Sequence, residues 1–201
     1  MKGHDVAHLA YEIERGDLGL HGGKQDQHAA AFGGFNFMEL RDTNHVLVNP
    51  LRVKDWIASE LESSLVLFFT GRSRSSAAII EEESQNVRDS NLDAIEAMHH
   101  SKVDAYRMKE ALLRGDLATV GDVMQSAWAV KKQMVSRITN NLIDDLDTLA
   151  CREGAFCDTV SGAGGFMMFL ANPCRRLRVV NALSAYGKGK IMPCHFTHNG
   201  V

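Results

Sequence analysis

Residues 11–40 read YEIERGDLGLHGGKQDQHAAAFGGFNFMEL. The succession of helix, glycine loop, short helix and strand in that stretch sets the reading of everything around it. Upstream, Val6, Leu9, Ala10 and Ile13 fall at i, i+3, i+4 and i+7, which predicts an amphipathic helix with Asp5 as N-cap and an end near Gly16. The glycine-broken loop Gly19-Leu20-His21-Gly22-Gly23 leads into a short helix from Gln25 to Phe32, stopped by Gly33-Gly34. Phe35 to Arg41 and His45 to Val53 then read as two strands joined by a turn at Asp42-Thr43-Asn44.

The pattern downstream is of a second kind. Trp56 to Leu61 fits a brief helix, and Leu65 to Thr70 is an apolar run of strand length ended by Gly71. From about Ser75 to Arg152 the periodicity is helical: Leu92 to Leu113 closed by Gly115, Leu117 to Val135, and Leu142 to Leu149 stopped at Gly154. Beyond a second glycine cluster, Gly154 to Gly165, Phe166 to Ala171 reads as a strand. Pro173 opens a helix to about Tyr186, and Lys190 to Phe196 reads as a final strand. This order predicts an α+β fold with helices packed on one face of an antiparallel sheet.

Composition narrows the function classes. The chain has 201 residues, 45% hydrophobic and 23% charged, with a net charge of −3. Those values exclude a disordered or collagen-like chain, and no basic stripe points to nucleic acid. No apolar run reaches the roughly 18 residues that would cross a membrane. The opening Met1-Lys2-Gly3-His4-Asp5 lacks the apolar stretch of an export signal, so a cytoplasmic location with four reduced cysteines is expected. Cys151 and Cys157, or Cys194 with His195 and His198, match no common metal spacing, and no metal site is expected.

Two segments could carry chemistry. In Gly22-Gly23-Lys24-Gln25-Asp26-Gln27, paired glycines let a substrate approach the backbone. A carboxylate opening a helix is favoured in its ionised form by the macrodipole, and such an Asp can accept the proton of an attacking hydroxyl. The same residues also suit a plain turn with Asp26 as a helix cap. In Ser161-Gly162-Ala163-Gly164-Gly165, backbone N–H groups could form an anion-binding nest, or the glycines could only permit a tight turn before the next strand.

Taken together, YEIERGDLGLHGGKQDQHAAAFGGFNFMEL, the later VSGAGGFMMFLANP and the closing HFTHNGV resemble the GHMP family of small-molecule kinases, from about Tyr11 to Val201. The resemblance implies ATP-dependent phosphorylation of a sugar phosphate such as a heptose 7-phosphate, with Mg²⁺, at the anomeric hydroxyl. Asp26 lies at the family's catalytic Asp, where it would act as general base. Gly22, Gly23, Lys24 and Gln27 would shape the sugar pocket. Ser161, Gly162, Ala163, Gly164 and Gly165 match a loop that closes near the transferred phosphate. The implied organisation is the end of an N-terminal α/β kinase domain, residues 1–60, followed by a ferredoxin-like C-terminal domain, residues 61–201.

Two features depart from the family pattern. The Pro- and Ser-containing glycine loop that holds the ATP phosphates is expected ahead of Met1, so the chain is expected to begin partway through the N-terminal domain. Just before the Ser161–Gly165 loop, Asp158-Thr159 stands where the family usually has Gly-Lys. A second expectation follows from these departures: a non-catalytic module that exposes Val6, Leu9, Ile13, Phe35 and Phe37 and self-associates, giving a homodimer. No nucleic acid or membrane partner is expected in either case.

Overall fold

The computed structural model describes residues 2–20, 22–41, 45–71, 85, 92–134, 138–161 and 165–201. They form two compact units, residues 1–54 with 195–201 and residues 55–194. Relative to the division expected at 60/61, the helix that begins at Asp55 belongs wholly to the second unit and the last seven residues belong to the first.

In the first unit, helix α1 (Gly3–Tyr11) runs straight into a π-helical segment, Glu12–Asp17. Helix α2 (Gln25–Phe32) follows the glycine loop, and strands β1 (Asn36–Leu40) and β2 (Val46–Pro50) pair antiparallel with Met38 opposite Val48. The predicted turn at Asp42-Thr43-Asn44 lies outside the described residues. Two details of α1 differ from expectation. Lys2, not Asp5, is the N-cap, and Asp5 sits one turn inside, where its carboxylate accepts the Lys2 amide at 2.9 Å. Gly16 does not stop the helix, because the turn widens instead: the Leu18 amide donates to the Ile13 carbonyl five residues back, at 2.9 Å. Such wide turns are rare and often sit at functional positions. Of the apolar residues expected at the surface, Leu9 (50%) and Ile13 (43%) are exposed, whereas Val6, Phe35 and Phe37 are half-buried.

The final seven residues close this unit. The Gly34 amide donates to Thr197 at 2.8 Å, the Val201 amide donates to Ala30 at 3.2 Å, and the Phe35 and Phe196 rings meet at 4.9 Å. Gly33 has φ +62°, and a Cβ there would lie 2.3 Å from the Asn199 backbone. Only glycine satisfies both demands at this crossing. The last predicted strand is therefore shorter than expected: pairing stops at Met192, immediately before Pro193, which has no amide to donate.

The second unit is an α+β layer. Helix α3 (Asp55–Ser64) feeds strand β3 (Leu65–Phe69); helices α4 (Leu92–Arg114), α5 (Leu117–Met134) and α6 (Asn141–Glu153) follow. Strands β4 (Ala155–Ser161) and β5 (Phe166–Ala171), helix α7 (Pro173–Ala185) and strand β6 (Lys190–Met192) complete it. All neighbours are antiparallel in the order β4-β5-β3-β6. Strand β4 was not expected; it occupies what reads in sequence as the start of a glycine loop. The core forms because side chains two apart share a sheet face. Val66 stands opposite Phe169 and Phe68 opposite Met167, all fully buried. Ile143, Leu146 and Ala150 of α6, Val179 and Leu183 of α7, and Trp128 of α5 join the same cluster. The opposite face carries the pair Leu67 and Met168, each only half-buried.

Phe68→Ala empties the middle of this cluster and should lower unfolding stability by about 3–5 kcal/mol. Leu177→Ala, at a side chain 67% exposed, should change it by less than about 0.5 kcal/mol. Urea denaturation of the two variants checks the contrast; equal losses would mean that the cluster is not the core.

Candidate functional site

The glycine loop before α2 is held from behind by the π-helical segment. Arg15 donates from Nη1 to the Leu20 carbonyl at 3.2 Å and from Nη2 to the Gly23 carbonyl at 3.3 Å, while Nη2 lies 3.4 Å from Glu14 Oε2. The guanidinium fills the space beside Gly22, where a Cβ would come within 2.3 Å of Nη2. Gly23 meets nothing within 4 Å and is exposed. The pair thus divides its work: Gly22 admits the brace, and Gly23 leaves the outer surface open.

Asp26 occupies the first turn of α2 and is exposed. Lys24, the N-cap, makes no side-chain cap, and its backbone is helical rather than extended. The N–H groups that open α2 therefore get no side-chain cap from Lys24, and they add their partial positive charge beside the Asp26 carboxylate. Asp26 does not cap the helix, so the bland reading of this residue as an N-cap does not describe it. An exposed, helix-start carboxylate can accept a proton from an approaching hydroxyl.

The neighbours of Asp26 are arranged differently from one another. Gln27 is buried at 5% exposure, and its Nε2 donates to Glu14 Oε2 at 2.6 Å. Its Oε1 is buried with no hydrogen-bond partner among the described residues, an arrangement that costs about 1–3 kcal/mol unless a donor meets it. The Lys24 ammonium lies 5.0 Å above the Tyr11 ring, and the Lys24 carbonyl accepts from His28 Nδ1 at 2.8 Å. Gly22, Gly23, Lys24, Asp26 and Gln27 are thus brought together at one loop-to-helix junction.

The second predicted segment lies in the second unit. Ser161 ends β4, and Gly165 turns into β5 with φ +76°, its carbonyl accepting the Thr70 amide at 2.8 Å. Gly162, Ala163 and Gly164 lie outside the described residues. Among the described residues no group of three or more His, Cys, Asp and Glu side chains is placed to hold a metal ion. No helix among them is long and apolar enough to cross a membrane. Glu14 and Arg15 are the site residues that sequence reasoning missed. Their signal was present, because a charged pair ending a helix just before a glycine loop has carbonyls within reach to bind.

Comparison with known proteins now gives the junction a context. No family model matches the chain. Over 98% of its length it is 44% identical to a D-glycero-α-D-manno-heptose 7-phosphate kinase of Campylobacter jejuni, covering 58% of that protein. A crystal structure of a D-glycero-D-manno-heptose 1-phosphate kinase from Bacteroides thetaiotaomicron matches all of the chain at 42% identity and TM-score 0.77, with 54% of that structure covered. A Leishmania major mevalonate kinase, at 20% identity and TM-score 0.75 over 60% of its length, shares the fold. The chain therefore spans little more than half the length of the heptose-phosphate kinases it matches.

Arg15→Met removes both carbonyl contacts and should release the loop without unfolding the protein. The Leu20 amide, bonded to Glu14 at 2.9 Å, should exchange its hydrogen about tenfold faster or more. Amides of β3 should keep their protection. Unchanged exchange at Leu20 in a mass-spectrometric hydrogen-exchange experiment would show that Arg15 braces nothing.

Proposed function

We propose, from the premise that this chain belongs to the GHMP family of small-molecule kinases together with its heptose-phosphate relatives, that the protein it forms phosphorylates the anomeric hydroxyl of a heptose 7-phosphate with ATP. The observation that carries this reading is Asp26, exposed in the first turn of α2 within a block that runs through the 44% identical match. Asp26 takes the anomeric proton while the sugar oxygen forms its bond to the γ-phosphorus; the bond between that phosphorus and the β,γ-bridging oxygen breaks, and ADP leaves. The positive end of α2 lies beside that carboxylate. Gly22 and Gly23 let the sugar lie against backbone, and Lys24 offers a cation at the same junction.

Mg²⁺ is bound in such reactions through one or two carboxylates and the substrate phosphates rather than by a protein cage. Carried in with ATP, Mg²⁺ would neutralise charge on the γ-phosphoryl group, leaving the Asp26 oxygens to the sugar hydroxyl. The 161–165 segment would close near that group. The antiparallel order β4-β5-β3-β6, with helices between β3 and β4 and between β5 and β6, supports a ferredoxin-like reading of the second unit.

Asp26→Asn keeps the shape of the side chain and removes the base, so kcat with heptose 7-phosphate and Mg²⁺·ATP should fall about 10²–10⁴-fold. Circular dichroism and the thermal midpoint should stay the same. The assay is made on the protein in its natural length, and unchanged turnover there would sink the assignment of the base.

A second reading, a self-associating module, is favoured by the exposure of Leu9 and Ile13. It predicts a concentration-dependent dimer in sedimentation velocity that Leu9→Lys abolishes. A monomer at all concentrations would remove it.

A further inference from the structure

Helix α2 is short, and its two ends are held by different parts of the chain. The braced glycine loop holds the start. The end is held by residues 196–201, which cross it within the same unit. Two backbones pass each other there with no side chain between them. A Cβ on Gly33 would lie 2.3 Å from the Asn199 carbonyl carbon, and a Cβ on Gly200 would lie 2.2 Å from the Ala31 carbonyl oxygen. The two glycines differ in one respect. Gly33 has φ +62°, whereas Gly200 lies outside the left-handed region, so at position 200 glycine is required by space alone.

The crossing also completes hydrogen bonding at the end of α2. The last four carbonyls of a helix have no partner inside it. Here Ala29 accepts from the Gly33 amide at 3.0 Å, and Ala30 accepts from the Val201 amide at 3.2 Å. The Gly33 carbonyl in turn accepts from Asn36 Nδ2 at 2.7 Å, and the Gly34 amide donates to Thr197 at 2.8 Å. Inside an α-helix each amide bonds the carbonyl four residues back. Ala30 and Ala31, which the crossing segment touches, are therefore joined within α2 to Asp26 and Gln27. A helix of eight residues spans about 12 Å and has no stability of its own, so a shift at its end is carried to its first turn.

We propose that Gly200 is a positioning residue for the phosphoryl transfer: by leaving no side chain at the crossing, it lets residues 196–201 seat against Ala30 and Ala31 and so sets where Asp26 stands. The inference rests on the reading of Asp26 as the base. Gly200 touches no reacting atom and acts through the axis of α2. A methyl group at position 200 must move one backbone or the other by about 1 Å to reach ordinary contact. A general base works only within hydrogen-bond reach of its hydroxyl, and a misplacement of that size costs up to about 10²-fold in rate. Substrate binding is affected less, because Arg15 holds the Gly23 carbonyl independently of the crossing.

The test is a mutant cycle on the protein in its natural length, assayed with heptose 7-phosphate and Mg²⁺·ATP. Gly200→Ala should lower kcat about tenfold or more and leave the KM for each substrate within about twofold. Placed on Asp26→Asn, where no base is left to misplace, the same change should lower the remaining turnover by less than about twofold. Val201→Pro withdraws the amide from Ala30 and should act like Gly200→Ala. Val201→Ala keeps that amide, changes a side chain 87% exposed, and should recover the parent's kcat. This pair decides the matter if Gly200→Ala does not fold. Unchanged kcat in both Gly200→Ala and Val201→Pro overturns the proposal and leaves the kinase reading standing, provided that Asp26→Asn loses turnover. An equal loss with Asp26 present and with Asp26→Asn also overturns it, because a crossing that only stabilises the fold lowers both alike. Full turnover by Asp26→Asn alone would remove the base itself, and this inference with it.

Discussion

The Arg15 guanidinium, lodged between the carbonyls of Leu20 and Gly23, is the constraint on which the first unit turns. Several otherwise separate features follow from it. The helix must widen into π geometry after Tyr11, because Arg15 then leaves the segment aimed at the loop that comes next. Position 22 must lack a side chain, since the guanidinium occupies that volume. Glu14 is left beside both Arg15 and Gln27, so one carboxylate ties a cation and an amide together under α2. Charged hydrogen bonds are worth about twice neutral ones when partly screened from water, and the Arg15 side chain is only 17% exposed. The brace is therefore stiff where the outer surface, at Gly23 and Asp26, is open.

The second unit depends on a different physics. Its sheet is held by cross-strand pairs of large apolar side chains, and helices α5, α6 and α7 cover the face those pairs present. Apart from the Trp128 indole the buried members of that cluster are aliphatic, Phe or Met, so its contribution is mainly non-directional burial. Polar groups that are buried here are paired: Asp104 accepts from Ser126 at 2.7 Å and from Arg107 at 3.0 Å. The contrast with the first unit is informative. One unit gains its order from area removed from water, the other from directed contacts around a loop, and the second kind suits a surface that must present specific groups.

Most elements were legible because their periodicity was strong and their ends carried glycine or proline. Helices α4 to α7 and strands β3 and β5 fall where the apolar spacing puts them. Strand β4 escaped because Ala155–Ser161 mixes polar and apolar residues and runs into glycines, which read as a loop in isolation. Only its partner β5 turns it into a strand, and that pairing is tertiary information. The final strand was read too long because apolar residues continue past Pro193, whereas the missing amide ends the ladder and frees the tail to dock on α2. Asp26 could be singled out from its place after a glycine pair. Its exposure could not, nor could the burial of Gln27 one residue later. Helix phase decides both, and phase is set by where Arg15 and the C-terminal residues pin the two ends of α2.

That pinning fixes both faces of α2. Its N-terminal end is fixed through Gln27 and the braced loop, and its C-terminal end through the Gly33 crossing and the Val201 contact to Ala30. An eight-residue helix held at both ends cannot rotate without breaking one set of contacts, and isolated helices of that length are not stable on their own. Asp26 is therefore presented outward because His28 is held inward, and the reverse is equally true. Lys24 joins the two faces: its carbonyl fixes the His28 ring, while its amide plane begins the turn that carries Asp26. The open glycine junction and the buried His28 ring thus share one short element held at both ends, and the placement of each depends on the other.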